Sequence, residues 1–174
     1  MSLIKYLIDF IEKHKNSVRY WEKEGAIIGR NCDIHTSASL GSEPYLVTIG
    51  NYVRINAGVQ IVTHDGGLWV VRRIDDKYCD VDIFKRVEIG DNVHIGTNVI
   101  ILPGVRIGNN CIIGVGAVVT KDIPDNSVAV GIPARIIETI DDYIKKNEKL
   151  FFHTKNMTSD KKKDYLNKIF ENKS

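Results

Sequence analysis

Five histidines are the side chains of this 174-residue chain best suited to moving a proton, because a neutral imidazole is available near pH 7. Their settings differ. His14 and His153 fall in stretches that read as peripheral helices, and His35 takes a turn-side place, so all three are expected to be structural or exposed. His64 stands in the string Val62-Thr63-His64-Asp65, where a regular run gives way to a long excursion, and His94 closes the string Asp91-Asn92-Val93-His94. Its place at the mouth of the long loop sets His64 apart from the other four as a candidate for acid–base chemistry. A zinc site built on histidines would need ligands converging with two of them closely spaced. His64 and His94 are 30 positions apart with no near partner, so no metal is expected.

What must position His64 is a repeat of six. Ile89, Ile95, Ile101, Ile107, Ile113 and Val119 open consecutive hexads, and Val93, Val99, Val105, Cys111, Ala117 and Ile123 occupy the fifth place of each. The fourth place runs Asn92, Asn98, Gly104, Asn110, Gly116, Asp122, residue types that tolerate the left-handed turn conformation. Six fits neither an α-helix nor an alternating half-buried strand. It fits short strands joined by bends and stacked into a parallel β-solenoid, with Ile89 over Ile107, Ile95 over Ile113 and Ile101 over Val119. Earlier, Ile28, Ile34 and Leu40 keep a looser step, broken by a small insertion around Glu43-Pro44-Tyr45, and Ile49, Ile55 and Ile61 resume it. The 28-residue interval from Ile61 to Ile89 is no multiple of six, so a loop over residues 63–86 must leave the coil. An excursion of that length suits a functional role.

These hexads resemble the hexapeptide-repeat acyltransferases. The run from Ile113 through Gly114-Val115-Gly116-Ala117-Val118-Val119-Thr120-Lys121-Asp122-Ile123-Pro124, with Gly131-Ile132-Pro133-Ala134-Arg135, is similar to sugar O-acetyltransferases of the galactoside, maltose and capsule-modifying kind. The resemblance implies a mainly β fold, a left-handed parallel β-helix, whose hand is not deducible from the period. It implies acetyl-CoA as acyl donor, a saccharide or other small-molecule acceptor, and a homotrimer with active sites between subunits. His64 then matches the general base, deprotonating a hydroxyl that attacks the thioester directly, since no cysteine accompanies it. Thr97 and Val115 match turn positions whose backbones hold the pantetheine, Thr120 and Lys121 the adenine and phosphate end, and Arg135 the anion site. His94 stands where the family commonly has a tryptophan lining the tunnel, Gly58 where it often has an asparagine, and Glu138 where a further basic residue is frequent. For the acceptor, Asn56 and Asp65 could bind a hydroxyl or orient the imidazole, and Trp69 and Arg72 could cover a sugar ring. N-acetylation of an amino-sugar nucleotide, a zinc carbonic anhydrase and a bare assembly scaffold are the other readings.

Composition bounds the rest. Lys and Arg total 24 against 22 acidic residues, a net charge of +2 that gives no reason to expect a nucleic-acid partner. Three cysteines, with Cys32 and Cys111 at inward fifth places, point to free thiols in a reducing compartment, and the charged start argues against a signal peptide. A cytoplasmic protein without stable membrane insertion is the expectation. Residues 1–24 read as an N-terminal helical segment, with Leu3, Ile4, Leu7, Ile8 and Ile11 on one stripe of a helix over 2–15. Residues 25–137 read as the β-helix domain, which Pro133 leaves by an extended exit, and 138–174 as a helical tail. Within that tail, helices over 138–152 and 159–172 are predicted, Ser159 capping the second.

Overall fold

A two-residue strand buries nothing by itself, so a chain of such strands must stack, and stacking is what organises the computed structural model, which describes residues 3–171. The first face carries Ile27–Ile28, Val47–Ile49, Val87–Ile89 and Arg106–Ile107. The second carries Asp33–Ile34, Arg54–Ile55, His94–Ile95, Ile112–Ile113 and Ser127–Val130; the third, Gln60–Ile61, Ile100–Ile101 and Val118–Val119. Within these sets every pairing is parallel, and Ile89 lies over Ile107, Ile95 over Ile113 and Ile101 over Val119. Those six are at most 3% exposed. Burying each such side chain contributes about 1.5–3 kcal/mol, so the ladders are the core.

The edge between the first and second faces is a polar ladder. Asn51 donates to Asp91 through its backbone N–H at 2.7 Å and its amide at 3.1 Å, Asp91 N–H to Asn109 Oδ1 at 2.8 Å, and Asn109 N–H to Asp125 Oδ1 at 2.8 Å. Alongside, Asn92, Asn110 and Asn126 take φ of 55°, 53° and 59° and link their amides at 2.9 Å. The Asn51 and Asn109 donors hold the Asp91 and Asp125 carboxyls, respectively, below the usual carboxylate range.

Asp122 does not take the left-handed turn its place in the hexads suggests. The last coil is two residues short at the edge between the third and first faces: Ile123 lies over Ile107, and Asp122 Oδ1 accepts from Arg106 N–H at 2.8 Å. Ile123 therefore points inward, 5% exposed, in a first-place position. Nor does the chain leave extended at Pro133. Residues 131–134 turn it back, through a cis Ile132–Pro133 bond, into Arg135–Thr139, which pairs antiparallel with Ser127–Val130.

Besides the coil, the described residues form five α-helices: α1 (Leu3–Lys15), α2 (Ser17–Lys23), α3 (Leu68–Val71), α4 (Ile140–Asn147) and α5 (Ser159–Glu171). Asn16 caps α2, its side chain accepting from Arg19 N–H at 3.0 Å, and Trp21 and Ala26 join the core cluster. Residues 138 and 139 are strand rather than helix, and Ser159 is the first helical residue of α5 rather than its cap. Residue 2 of the first expected helix and residue 172 of the last lie outside the described residues, as do the side chains of Leu3, Ile4 and Ile8. Two compact units divide the chain, Met1–Tyr143 and Ile144–Ser174. Among the described residues no helix is long and apolar enough to cross a membrane.

Candidate functional site

After Gln60–Ile61 the chain runs out of the third face toward the first, and Thr63, fully buried, pins the point where it leaves the coil. The base of the loop is clasped from both limbs: His64 bridges Phe84, Lys85 N–H donates to Thr63 O at 2.8 Å, and Asp65 N–H donates to Ile83 O at 3.0 Å. His64 therefore belongs to the hydrogen-bonded base of the loop and not to its tip. Its imidazole stands edge-on to Phe84, ring centres 6.3 Å apart.

Glu43 completes the arrangement. One oxygen, Oε2, accepts from the Thr63 hydroxyl at 2.6 Å and lies 3.1 Å from His64 Nδ1. The Thr63 hydroxyl first, and then His64, hold the Glu43 carboxyl below its usual range. A carboxylate can only accept, so the proton in the second bond belongs to Nδ1, which leaves the Nε2 lone pair free for an incoming hydroxyl. Glu43 lies 21 positions before His64, in the insertion that interrupts the early hexads. Its break in the hexad step was the only signal in the sequence that could have found it.

His64 lines two hollows of about 280 Å³ each. One is walled by Glu43, Trp69, Arg72, Asp82 and Phe84, the other by Ser39, Ser42, Gln60 and Thr63. An imidazole with open space on two sides can serve a proton transfer between two reactants. Trp69 is 64% exposed, with the Arg73 guanidinium 4.1 Å above its ring. Arg72 ties the far limb of the loop, donating from Nε to Val81 O at 2.9 Å and pairing with Asp82. Asp65 turns the chain into α3, its Oδ1 accepting from Gly67 N–H at 2.8 Å. The imidazole contact expected of Asp65 or Asn56 is made by Glu43.

The remaining site residues divide between edges. Thr120 and Lys121 follow Val118–Val119 on the edge that also carries His64, two coils further along. Thr97, Val115 and Asn56 lie on the opposite edge of the third face, where Val115 is 73% exposed and Gly116 holds φ of 69° with open space around it. His94 is on the outside of the second face in register with Arg54 and Ile112; burial, then the Arg54 charge, push its imidazole pKa down. Arg135 is exposed and turns Nη1 onto Ala134 O at 3.0 Å. One chain thus brings together His64, Asp65, Trp69 and Arg72, and keeps Asn56, Thr97 and Val115 a face away. Among the described residues no group of three or more His, Cys, Asp or Glu is placed to hold a metal ion.

Residues 86–121 match the family model described as bacterial transferase hexapeptide (six repeats). Over 154 residues the chain is 47% identical to the protein named CapG of Staphylococcus aureus, a match covering 87% of this chain and 88% of that one. The chain belongs to the hexapeptide-repeat acyltransferase family. This acyltransferase is also 41% identical over 116 residues to a galactoside O-acetyltransferase of Escherichia coli K12, covering 66% of its own length and only 54% of that enzyme's. Among solved structures it is similar to a hexapeptide-repeat-containing acetyltransferase of Vibrio cholerae O1 biovar eltor complexed with acetyl coenzyme A. There the TM-score is 0.59 and the identity 31%, over 66% of this chain and 60% of that one.

Proposed function

We propose that this acyltransferase moves an acetyl group from acetyl-CoA to a sugar hydroxyl, in a cell-surface polysaccharide or its precursor, with His64 as general base. The coil is read as left-handed and the assembly as a homotrimer. In the reaction the acceptor hydroxyl gives its proton to His64 Nε2 as its oxygen bonds to the thioester carbonyl carbon. The tetrahedral adduct then collapses, the carbon–sulfur bond breaks, and the departing thiolate takes the proton back from the imidazolium. Glu43 keeps Nδ1 protonated and faces the positive charge that the ring carries between those two steps. The observation that carries this reading is the His64 imidazole, fixed by Glu43 at 3.1 Å and opening on two hollows.

Acetyl-CoA as donor is supported by the Vibrio cholerae neighbour solved with it, and a sugar hydroxyl as acceptor by the galactoside O-acetyltransferase relative. The exposed Trp69 indole supplies a flat apolar surface for a sugar ring. A site between subunits is supported by the separation of Thr97 and Val115 from His64 across the third face. A carrier lying along the edge of one copy would meet the imidazole of the next. On this reading Thr97 and Val115 line the pantetheine, with His94 near its end. Thr120, Lys121 and Arg135 receive the phosphates, and Asn56, Asp65 and Arg72 border the acceptor.

The test is thiol release from acetyl-CoA in the presence of a panel of sugars, comparing the parent with His64→Ala. Transfer should be lost in the variant while coenzyme A binding by calorimetry is kept. A His64→Ala enzyme as fast as the parent refutes the assignment. A product stable to mild alkali would be an amide and would overturn the hydroxyl as acceptor.

A further inference from the structure

Residues 144–171 contain two helical segments and, among the described residues, not one buried side chain. A segment of this size with no core of its own does not compensate the entropy of ordering, so its apolar side chains call for an external cover. Phe152 is partly engaged, its ring edge-on to Tyr165 and Phe170 at 6.4 and 6.3 Å. Leu150 and Phe151, in the connection from α4 to α5, are 67% and 48% exposed.

The charge around that connection says what the cover is. Nine lysines against four acids give residues 144–174 a net charge of +5, which leaves −3 for residues 1–143. The overall +2 conceals this division. Lys145, Lys149, Lys155, Lys161, Lys162 and Lys163 are all exposed, on both sides in sequence of Leu150 and Phe151. A polyanion such as a nucleic acid would match the charge and leave the leucine and phenylalanine uncovered. A second copy of this chain offers a surplus of only three negative charges spread over 143 residues. An anionic bilayer surface answers both features: lipid headgroups attract clustered lysines, and the boundary with the acyl chains takes up exposed Leu and Phe.

We infer that the Ile144–Ser174 unit docks this acyltransferase reversibly on an anionic lipid surface, with Leu150 and Phe151 entering the headgroup boundary and the surrounding lysines on the phosphates. The contact is superficial and uses no membrane-spanning segment. It is independent of which sugar is the acceptor.

The full chain is to be sedimented with vesicles of phosphatidylcholine, alone or mixed with phosphatidylglycerol, at low and high salt. Binding should require the anionic lipid and fall with salt. Each lysine near such a surface contributes about fivefold, so K161Q/K162Q/K163Q should lower partitioning roughly a hundredfold. Phe151→Ser should lower it roughly tenfold. Both variants should keep the parent's transfer rate on a soluble acceptor, which reports that they fold. Failure of the parent to bind anionic vesicles at low salt overturns the inference, as does equal binding to neutral ones. Retention on a soluble polyanion without vesicle binding overturns it too. So does concentration-dependent self-association that Phe151→Ser abolishes while vesicles are ignored.

Discussion

Replacing Glu43 by glutamine removes one charge from the site and almost no volume. The carboxylate oxygen lies 3.1 Å from His64 Nδ1, with the two side chains 41% and 16% exposed. Opposite unit charges about 4 Å apart interact by about 4 kcal/mol at an effective dielectric constant near 20. The exposure of the imidazole to solvent screens part of this, and a charged hydrogen bond in such a setting contributes about 1.5–3 kcal/mol net. On the proposed mechanism the benefit falls on the step in which the ring is an imidazolium, because neutral histidine gains little from the charge. At about 1.4 kcal/mol per factor of ten, kcat for Glu43→Gln should drop by roughly ten- to a hundredfold. KM for either substrate should change less than kcat, because the carboxylate acts mainly on the imidazolium formed during transfer. Steady-state kinetics on the sugar identified by screening, with coenzyme A binding measured separately, is the assay. A Glu43→Gln enzyme with the parent's kcat, or with a loss carried wholly by KM, would refute the positioning role.

Two further outcomes follow from the coil. Ile101→Ala removes a fully buried ladder residue on the third face and should cost about 2–5 kcal/mol in chemical denaturation; a loss under about 1 kcal/mol would show that the ladder is not tightly packed. Asp91 and Asp125 have carboxyls held below the ordinary range by Asn51 and Asn109. Folding therefore favours their charged forms, and their contribution is present above the ordinary carboxylate pKa and lost as pH falls through the lowered one. Thermal midpoints of the D91N/D125N double variant should approach those of the parent below about pH 4 and lie under them above it. Parallel curves would sink this account.

The coil was legible because burial along it is decided locally. Each first-place Ile from 89 to 113 points inward for the same reason as the last, so reading the period also reads the pairing register. Legibility failed wherever the number of residues at an edge changed. Asp122 carries the right residue type for a left-handed turn, but the edge holding it is two residues short, and nothing in residue type records that. Arg135-Ile136-Ile137-Glu138-Thr139 continues toward a helix without punctuation, yet three β-branched residues in five suit the open side of a neighbouring strand. For the candidate site, the placing of His64 where the coil gives way to the loop was visible because it stands at the end of the repeat. Glu43 was not, because its meeting with His64 depends on how far an irregular insertion reaches, a distance that spacing cannot supply.

The reversal at residues 131–134 governs how far the second face of the coil can grow. Stacked coils have no intrinsic length, and a bare parallel strand at the top of the pile would template the next layer or a neighbour's. By folding Arg135–Thr139 back against Ser127–Val130 in the opposite direction, the chain presents a hydrogen-bonding pattern that another parallel rung does not match. Five residues thereby act as a terminator on the face that reaches furthest along the stack.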